Sequence, residues 1–262
     1  MIRLKSAEEI EMMRRAGRAV AEALAAMRDA IVPGETTTLD LDEVAAEVLK
    51  KRGAKPALLG YKPSFSRVPY QHNTCISVNN EVVHGVPSKK RILQEGDIVS
   101  LDLDAAIDGW CADAALTVPV GTVSASAKNL LTVSREALFK GIAQARVGNS
   151  VEDISAAIQR HVERNRYNVV RDLVGHGIGQ TPHEDPQVAN YGKPGRGDRL
   201  RAGMTICIEP MVNIGKHHVG HRKGDVWTIF TSDDSLSAHF EHTVAITEDG
   251  PDILTLPPSH EK

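Results

Sequence analysis

No run of apolar residues in this chain approaches the ~18 that a membrane-crossing helix needs. The opening segment, MIRLKSAEEIEMMRR, is charged and amphipathic and lacks the apolar stretch of a secretory signal. An excess of either charge is small as well. Net charge is −3, from 31 Lys and Arg against 34 Asp and Glu, so no basic footprint argues for nucleic acid or an anionic membrane. Only three cysteines occur, Cys75, Cys111 and Cys207, odd in number and far apart. That speaks against a disulfide framework and for a reducing, cytoplasmic setting. Linkers and low-complexity stretches are missing, which points to one domain over residues 1–262. What is present is an ordinary globular balance, 41% hydrophobic and 25% charged, able to bury a sizeable core.

The chemistry begins in the stretch Gln94–Val120, QEGDIVSLDLDAAIDGWCADAALTVPV. Apolar and polar residues alternate from Val99 to Asp104, and a looser run follows Asp108-Gly109. An Asp-Gly pair between two such runs signals a β-hairpin with a two-residue turn. With Ile107 facing Trp110, Asp104 falls opposite Asp113, and Asp102 lies on the diagonal. Side chains alternate faces, so the three acids point the same way. Carboxylates clustered among Val, Leu and Ile repel one another unless a cation sits between them. The plain alternative is a solvated sheet face.

Along the chain, Ser6 with Glu9 reads as a capping box opening a helix to about Asp29, with Ile10, Met13, Ala16, Val20 and Leu24 on one face. Met12 and Met13 both read as core residues. Thr37 or Thr38 caps a second helix to about Arg52, stopped by Gly53. Residues 54–73 read as a loop and Cys75–Val83 as extended. A similar order then recurs, with helices predicted over 127–146 and from Val151 to about Asn165. Setting Gly34 on Gly148 places Val44 on Ile158 and Val48 on Val162. Leu93, Gly96 and Asp102 likewise match Leu200, Gly203 and Glu209 in spacing. This suggests a duplicated unit, roughly 10–121 and 125–250, whose halves share one sheet and one cleft.

Further candidates lie in the second half. His176 stands between glycines in VGHGIG, which lacks both the dinucleotide spacing and the Lys of a phosphate loop. His183 follows in HEDP. Glu209 is a lone acid in the apolar strand ICIEPMV, costly unless paired or coordinating. Glu241 by itself reads as an ordinary strand-edge acid. His217, His218 and His221, crowded by Lys216, Arg222 and Lys223, read as an exposed hairpin loop and not as an ion site. His72, His161, His239, His242 and His260 read as surface or packing residues.

Five segments in order now carry a family resemblance: VVHGVP (82–87), DIVSLDLDAAIDGWCAD (97–113), GHGIGQTPHEDPQV (175–188), MTICIEPMV (204–212) and SLSAHFEHTVAIT (235–247). The chain resembles the type I methionine aminopeptidases, in their short bacterial form, essentially end to end. The resemblance implies an α+β pita-bread fold, two pseudo-symmetric halves with a curved antiparallel sheet covered by helices. It implies five metal ligands: Asp102, Asp113, His176, Glu209 and Glu241. These would hold two divalent ions (Co, Mn, Fe or Zn), with Asp113 and Glu241 bridging, Asp102 on one ion, and His176 with Glu209 on the other. A water activated by that pair would attack the first peptide bond, with Glu209 as proton shuttle and His84 and His183 on the scissile amide and oxyanion. Tyr61, Phe65, Cys75 and Trp227 would line a pocket for methionine. The implied partners are the N-terminal methionine of nascent polypeptides and, as a further candidate, the ribosome, with no specific nucleic acid or membrane and a monomeric enzyme.

Three departures from the family pattern stand out. Asp104 occupies a position usually small or hydroxylic, Pro182 replaces an aromatic before His183, and the loop 62–73 is long. A more acidic site with altered metal affinity or pH optimum follows from Asp104. The rival readings are a prolidase or Xaa-Pro aminopeptidase of the same fold, and a metal-free binding protein that has lost its ligands.

Overall fold

Helix caps set the rhythm of the molecule. In the computed structural model, which describes residues 1–62 and 68–257, four helices stand in two pairs. Helix α1 (Ala7–Asp29) opens on Ser6, whose hydroxyl accepts from the Glu9 N–H while Glu9 accepts from the Ser6 N–H. Helix α2 (Thr38–Arg52) opens on Thr37 with Asp40 in the same roles, and ends on Gly53 in the left-handed region. Helices α3 (Ala125–Ile142) and α4 (Val151–Arg164) start from Ser124 and Ser150. Two expectations change. Met13 is fully buried but Met12 is 39% exposed, because adjacent helical residues lie about 100° apart and cannot share one face. Helix α3 stops at Ile142, and tight turns carry the chain through Ala145.

Fifteen strands run through the rest of the described residues. The first half holds β1 (Lys55–Pro56), β2 (Cys75–Val78), β3 (Glu81–Val83), β4 (Ile98–Ile107) and β5 (Trp110–Pro119). The second holds β6 (Asn168–Val169), β7 (Gly175–Gly177), β8 (Glu184–Val188), β9 (Thr205–Ile208), β10 (Met211–Asn213), β11 (Val219–Gly220), β12 (Ile229–Thr231), β13 (Ser237–His239), β14 (Glu241–Thr247) and β15 (Gly250–Ile253). Every pairing among the described residues is antiparallel. The main sheet runs β1–β4–β5–β14–β9–β7–β8, with β2 on β4 and β15 on β14. The stretch 75–83 is not one strand. Asn79, at φ 60, turns the chain so that β2 joins β4 while β3 pairs with β12.

Each helix pair covers its own part of the sheet. Val20, Leu24, Leu41 and Leu49 pack on Val99, Leu101 and Leu103 of β4. Leu130, Leu138, Ile154 and Ile158 pack on Ile206, Ile208, Val244 and Ile246. The halves also make equivalent contacts. Thr37 bridges to Ile92 as Ser150 does to Arg199, and the Gly34 N–H donates to Leu93 O as the Gly148 N–H does to Leu200 O. The helical match is one residue off: fully buried Leu41, Ala45 and Leu49 answer Ile154, Ile158 and Val162, while Val44 and Val48 flank the core. The cause is the spacer from glycine to cap, which is longer by one residue in the first half.

The sheet joins the halves where β14 meets β5, through the pairs Glu241–Ala115 and His242–Ala114. On either side a threonine hydroxyl takes over from the backbone. Thr243 Oγ1 accepts from the Asp113 N–H (2.9 Å) and donates to Asp113 O (2.8 Å). Thr117 Oγ1 does the same for His239, at 2.8 Å each way. No helix among the described residues is long and apolar enough to cross a membrane.

Candidate metal centre

The hairpin forms in the expected register, Asp104 opposite Asp113, Asp102 opposite Ala115 and Ile107 opposite Trp110. Asp108 and Gly109 turn it with φ 51 and 81, the pair of positive values a tight hairpin turn requires. Alternation sends Leu101 and Leu103 into the helix-covered core and leaves Asp102, Asp104 and Asp113 beside a cavity of about 820 Å³. The second half brings its donors to the same cavity. His176 sits in β7, Glu209 directly follows β9, and Glu241 opens β14 opposite Ala115. All five candidate donors therefore converge.

They are close but not bonded to one another. His176 Nε2 lies 3.5 Å from Glu209 Oε1 and 3.9 Å from Asp113 Oδ2. His176 Nδ1 donates to the Gly177 carbonyl at 2.9 Å, which leaves the Nε2 lone pair facing the cavity. Donor atoms of Asp113, His176, Cys207 and Glu241 fall within 4.8 Å of one another, as do those of Glu209, His239 and Glu241. Glu241 belongs to both groups. Asp104 Oδ1, Asp113 Oδ1 and Glu241 Oε1 are buried without a hydrogen-bond partner.

The electrostatics suit a positive charge among these groups. Burial pushes the carboxyls of Asp102, Asp104 and Glu209 up to about 7. Burial and then the neighbouring carboxylates drive Asp113 and Glu241 well above the ordinary range. Divalent cations among these oxygens would favour the ionised forms and satisfy the orphaned atoms, so the donor set fits such ions. Burial lowers His176 and His183, and holds His84 down at about 4, so these imidazoles are neutral near pH 7.

Across the cavity the wall is apolar. Tyr70, Cys75 and Trp227 pack together with Leu58 and Tyr61 at the edge, and the rings of Tyr70 and Trp227 meet edge-to-face at 5.0 Å. His183 stacks on Tyr61 at 5.5 Å and stands 4.4 Å from the His176 ring; His84 lines the same space. Phe65 lies outside the described residues. The turn before His183 is braced from the N-terminus: Lys5 Nζ, 1% exposed, donates to Glu184 Oε2 at 2.8 Å. Glu184 in turn accepts from the Gln180 N–H at 3.0 Å. His217, His218 and His221 lie around β11, away from this cavity.

Sequence reasoning overlooked three neighbours. Tyr70 sits in a segment read as loop, and its hydroxyl donates to Thr74 O and Gly85 O. Cys207 lies between two core isoleucines, and burial keeps its thiol protonated. His239 is a correction: not packing, but 2% exposed and lining the cavity, with Nε2 3.6 Å from Glu209 Oε2 and 3.8 Å from Glu241 Oε2. Its separation of two from Glu241 was the available signal, since alternate residues of an extended chain share a face.

The description "metallopeptidase family M24" belongs to a family model that matches residues 11–248. The methionine aminopeptidase of Clostridium acetobutylicum is 48% identical over 256 residues, covering 98% of this chain and 99% of that protein. Methionine aminopeptidase 1 of Bacillus subtilis is 46% identical, covering 97% and 99%. Among solved structures, methionine aminopeptidase from Thermotoga maritima superposes with a TM-score of 0.93 at 48% identity, covering 98% of this chain and 100% of that one. The prolidase from Pyrococcus furiosus, at 24% identity and a TM-score of 0.75, shares the fold, with 99% of this chain covering 66% of that one.

Proposed function

The chain belongs to metallopeptidase family M24, and from that premise we propose that it is a type I methionine aminopeptidase. It removes the N-terminal methionine of nascent proteins and peptides whose second residue is small. The observation that carries this reading is the convergence of Asp102, Asp113, His176, Glu209 and Glu241 on one cavity that has an apolar wall.

Those five side chains would hold the metal. Their four carboxylates match two divalent cations in charge, and the sharing of Glu241 by two donor groups supports a pair. Asp102 and Asp113 would contribute from the first half, and His176, Glu209 and Glu241 from the second. When bound, such ions supply a low-pKa water and polarise the scissile carbonyl. The protein does the rest. Tyr61, Cys75 and Trp227 receive the thioether, and sulfur against aromatic rings contributes about 0.3–1.5 kcal/mol. Glu209, whose carboxyl burial brings up to about 7, would in its ionised form accept a proton from water and in its protonated form return that proton to the leaving amine. His84 and His183, neutral donors, hold the scissile amide and the developing oxyanion.

We take the chain to act as one catalytic domain of two duplicated halves, a reading supported by the paired contacts of Thr37 and Ser150. A monomer working in the cytoplasm on chains leaving the ribosome fits this activity. The test is direct. Protein reconstituted with Mn, Fe, Co or Zn should bind two ions per chain by elemental analysis and release methionine from Met-Ala-Ser. Preferential cleavage of Xaa-Pro peptides would transfer the enzyme to the prolidase type, and metal-free isolation without activity would remove it from the peptidases.

A further inference from the structure

The five donors leave one buried imidazole unexplained. His239 ends β13, two residues before Glu241, and its backbone is locked on both sides by Thr117 Oγ1. The side chain is 2% exposed and lines the cavity, and neither ring nitrogen has a hydrogen-bond partner. An imidazole buried with both nitrogens unsatisfied is costly, so something in the working protein must engage it. The carboxylates beside it do not, at 3.6 Å from Glu209 Oε2 and 3.8 Å from Glu241 Oε2.

Those lengths have a different meaning. Two donors each about 2.0–2.2 Å from one cation, at 90–120° to each other, stand about 2.8–3.8 Å apart. His176 Nε2 keeps the same kind of spacing from its neighbours, 3.5 Å to Glu209 and 3.9 Å to Asp113. Glu209 therefore has an imidazole beside each oxygen, His176 on Oε1 and His239 on Oε2. Donor atoms of Glu209, His239 and Glu241 also lie within 4.8 Å of one another.

We propose that His239 is a sixth metal ligand, so that the bound ions are held by two imidazole nitrogens instead of one. This rests on the metallopeptidase reading of the cavity. Its Nε2 would close the donor group formed with Glu209 and Glu241. The functional consequence is a softer, more nitrogen-rich set, which favours zinc, cobalt and iron over manganese relative to a five-donor site.

The experiment uses the full chain labelled with ¹⁵N-histidine and titrated with Zn(II), followed by long-range proton–nitrogen spectra of the imidazoles. Two rings should change to the metal-bound signature, one lost in His176→Gln and the other in His239→Gln. Calorimetry on the same proteins should show one binding constant weakened by about tenfold or more in His239→Gln. Far-UV dichroism and melting curves identify a variant that has unfolded; in that event the number of zinc-responsive rings in the unsubstituted protein decides alone. A single responsive ring that survives in His239→Gln overturns the sixth ligand while leaving a metal enzyme. Absence of any zinc-responsive ring overturns the metal centre itself.

Discussion

At the scale of single residues, Asp104 is the sharpest departure in the cavity. It faces Asp113 across the hairpin, is 2% exposed, and has one carboxylate oxygen without a partner. Asp104→Ser should relieve like-charge repulsion and raise the melting temperature of the chelator-treated protein by about 2–6 °C. The same change should weaken divalent binding in calorimetry and move the pH optimum. An unchanged metal titration and pH profile would take Asp104 out of the site. His84→Ala and His183→Ala should each lower kcat by about 10²–10³ without changing metal content, the loss typical of one oxyanion donor. Period-two alternation and an Asp-Gly turn were enough to foresee Asp102, Asp104 and Asp113 together. His239 escaped because its meaning depends on Glu209, 30 residues away in sequence and brought near only by the pairing of β9 with β14.

At the scale of elements, the glycines around His176 act through space and not through flexibility. A Cβ on Gly177 would stand 2.0 Å from Asp185 O, backbone that cannot yield without opening β7 from β8. Gly177→Ala should therefore displace His176, costing metal affinity by more than about tenfold with helix content retained, as read by calorimetry beside far-UV dichroism. The long elements were legible because their signals are local: caps at Ser6 and Thr37, and helical periodicity in the later pair, in helices of 14 to 23 residues. Strands such as β6 and β11 were not, since two residues carry no periodicity and exist only through partners such as β10 and β12. The break at Asn79 was missed for a related reason: an extended pattern does not reveal a change of partner.

At the scale of the whole molecule, the crowded carboxyls tie stability to pH. In the metal-free fold Asp102, Asp104 and Glu209 hold protons up to about 7, against ordinary values of 3.8, 3.8 and 4.5. Between those limits the folded chain binds more protons than the unfolded one, so this stabilisation is complete below about pH 4 and fades through pH 7, by at most about 1.4 kcal/mol per group per unit. Chelator-treated protein should thus lose melting temperature from about pH 5 to 8, and manganese-loaded protein should gain on it over the same range. A metal-free melting point that climbs over that range would contradict the burial of these acids. The junction of β5 with β14 carries the matter further: its two residue pairs and two threonine hydroxyls are joined by β3 on β12, by Lys5 on Glu184 and by Met13 and Cys111 packed with Ile178 and Cys207, and the candidate donors come from both sides, Asp102 and Asp113 from one and His176, Glu209 and Glu241 from the other. Nicked between Gly121 and Ser124, the molecule should therefore stay together in chelator through those paired and apolar contacts, and gain melting temperature when manganese is added.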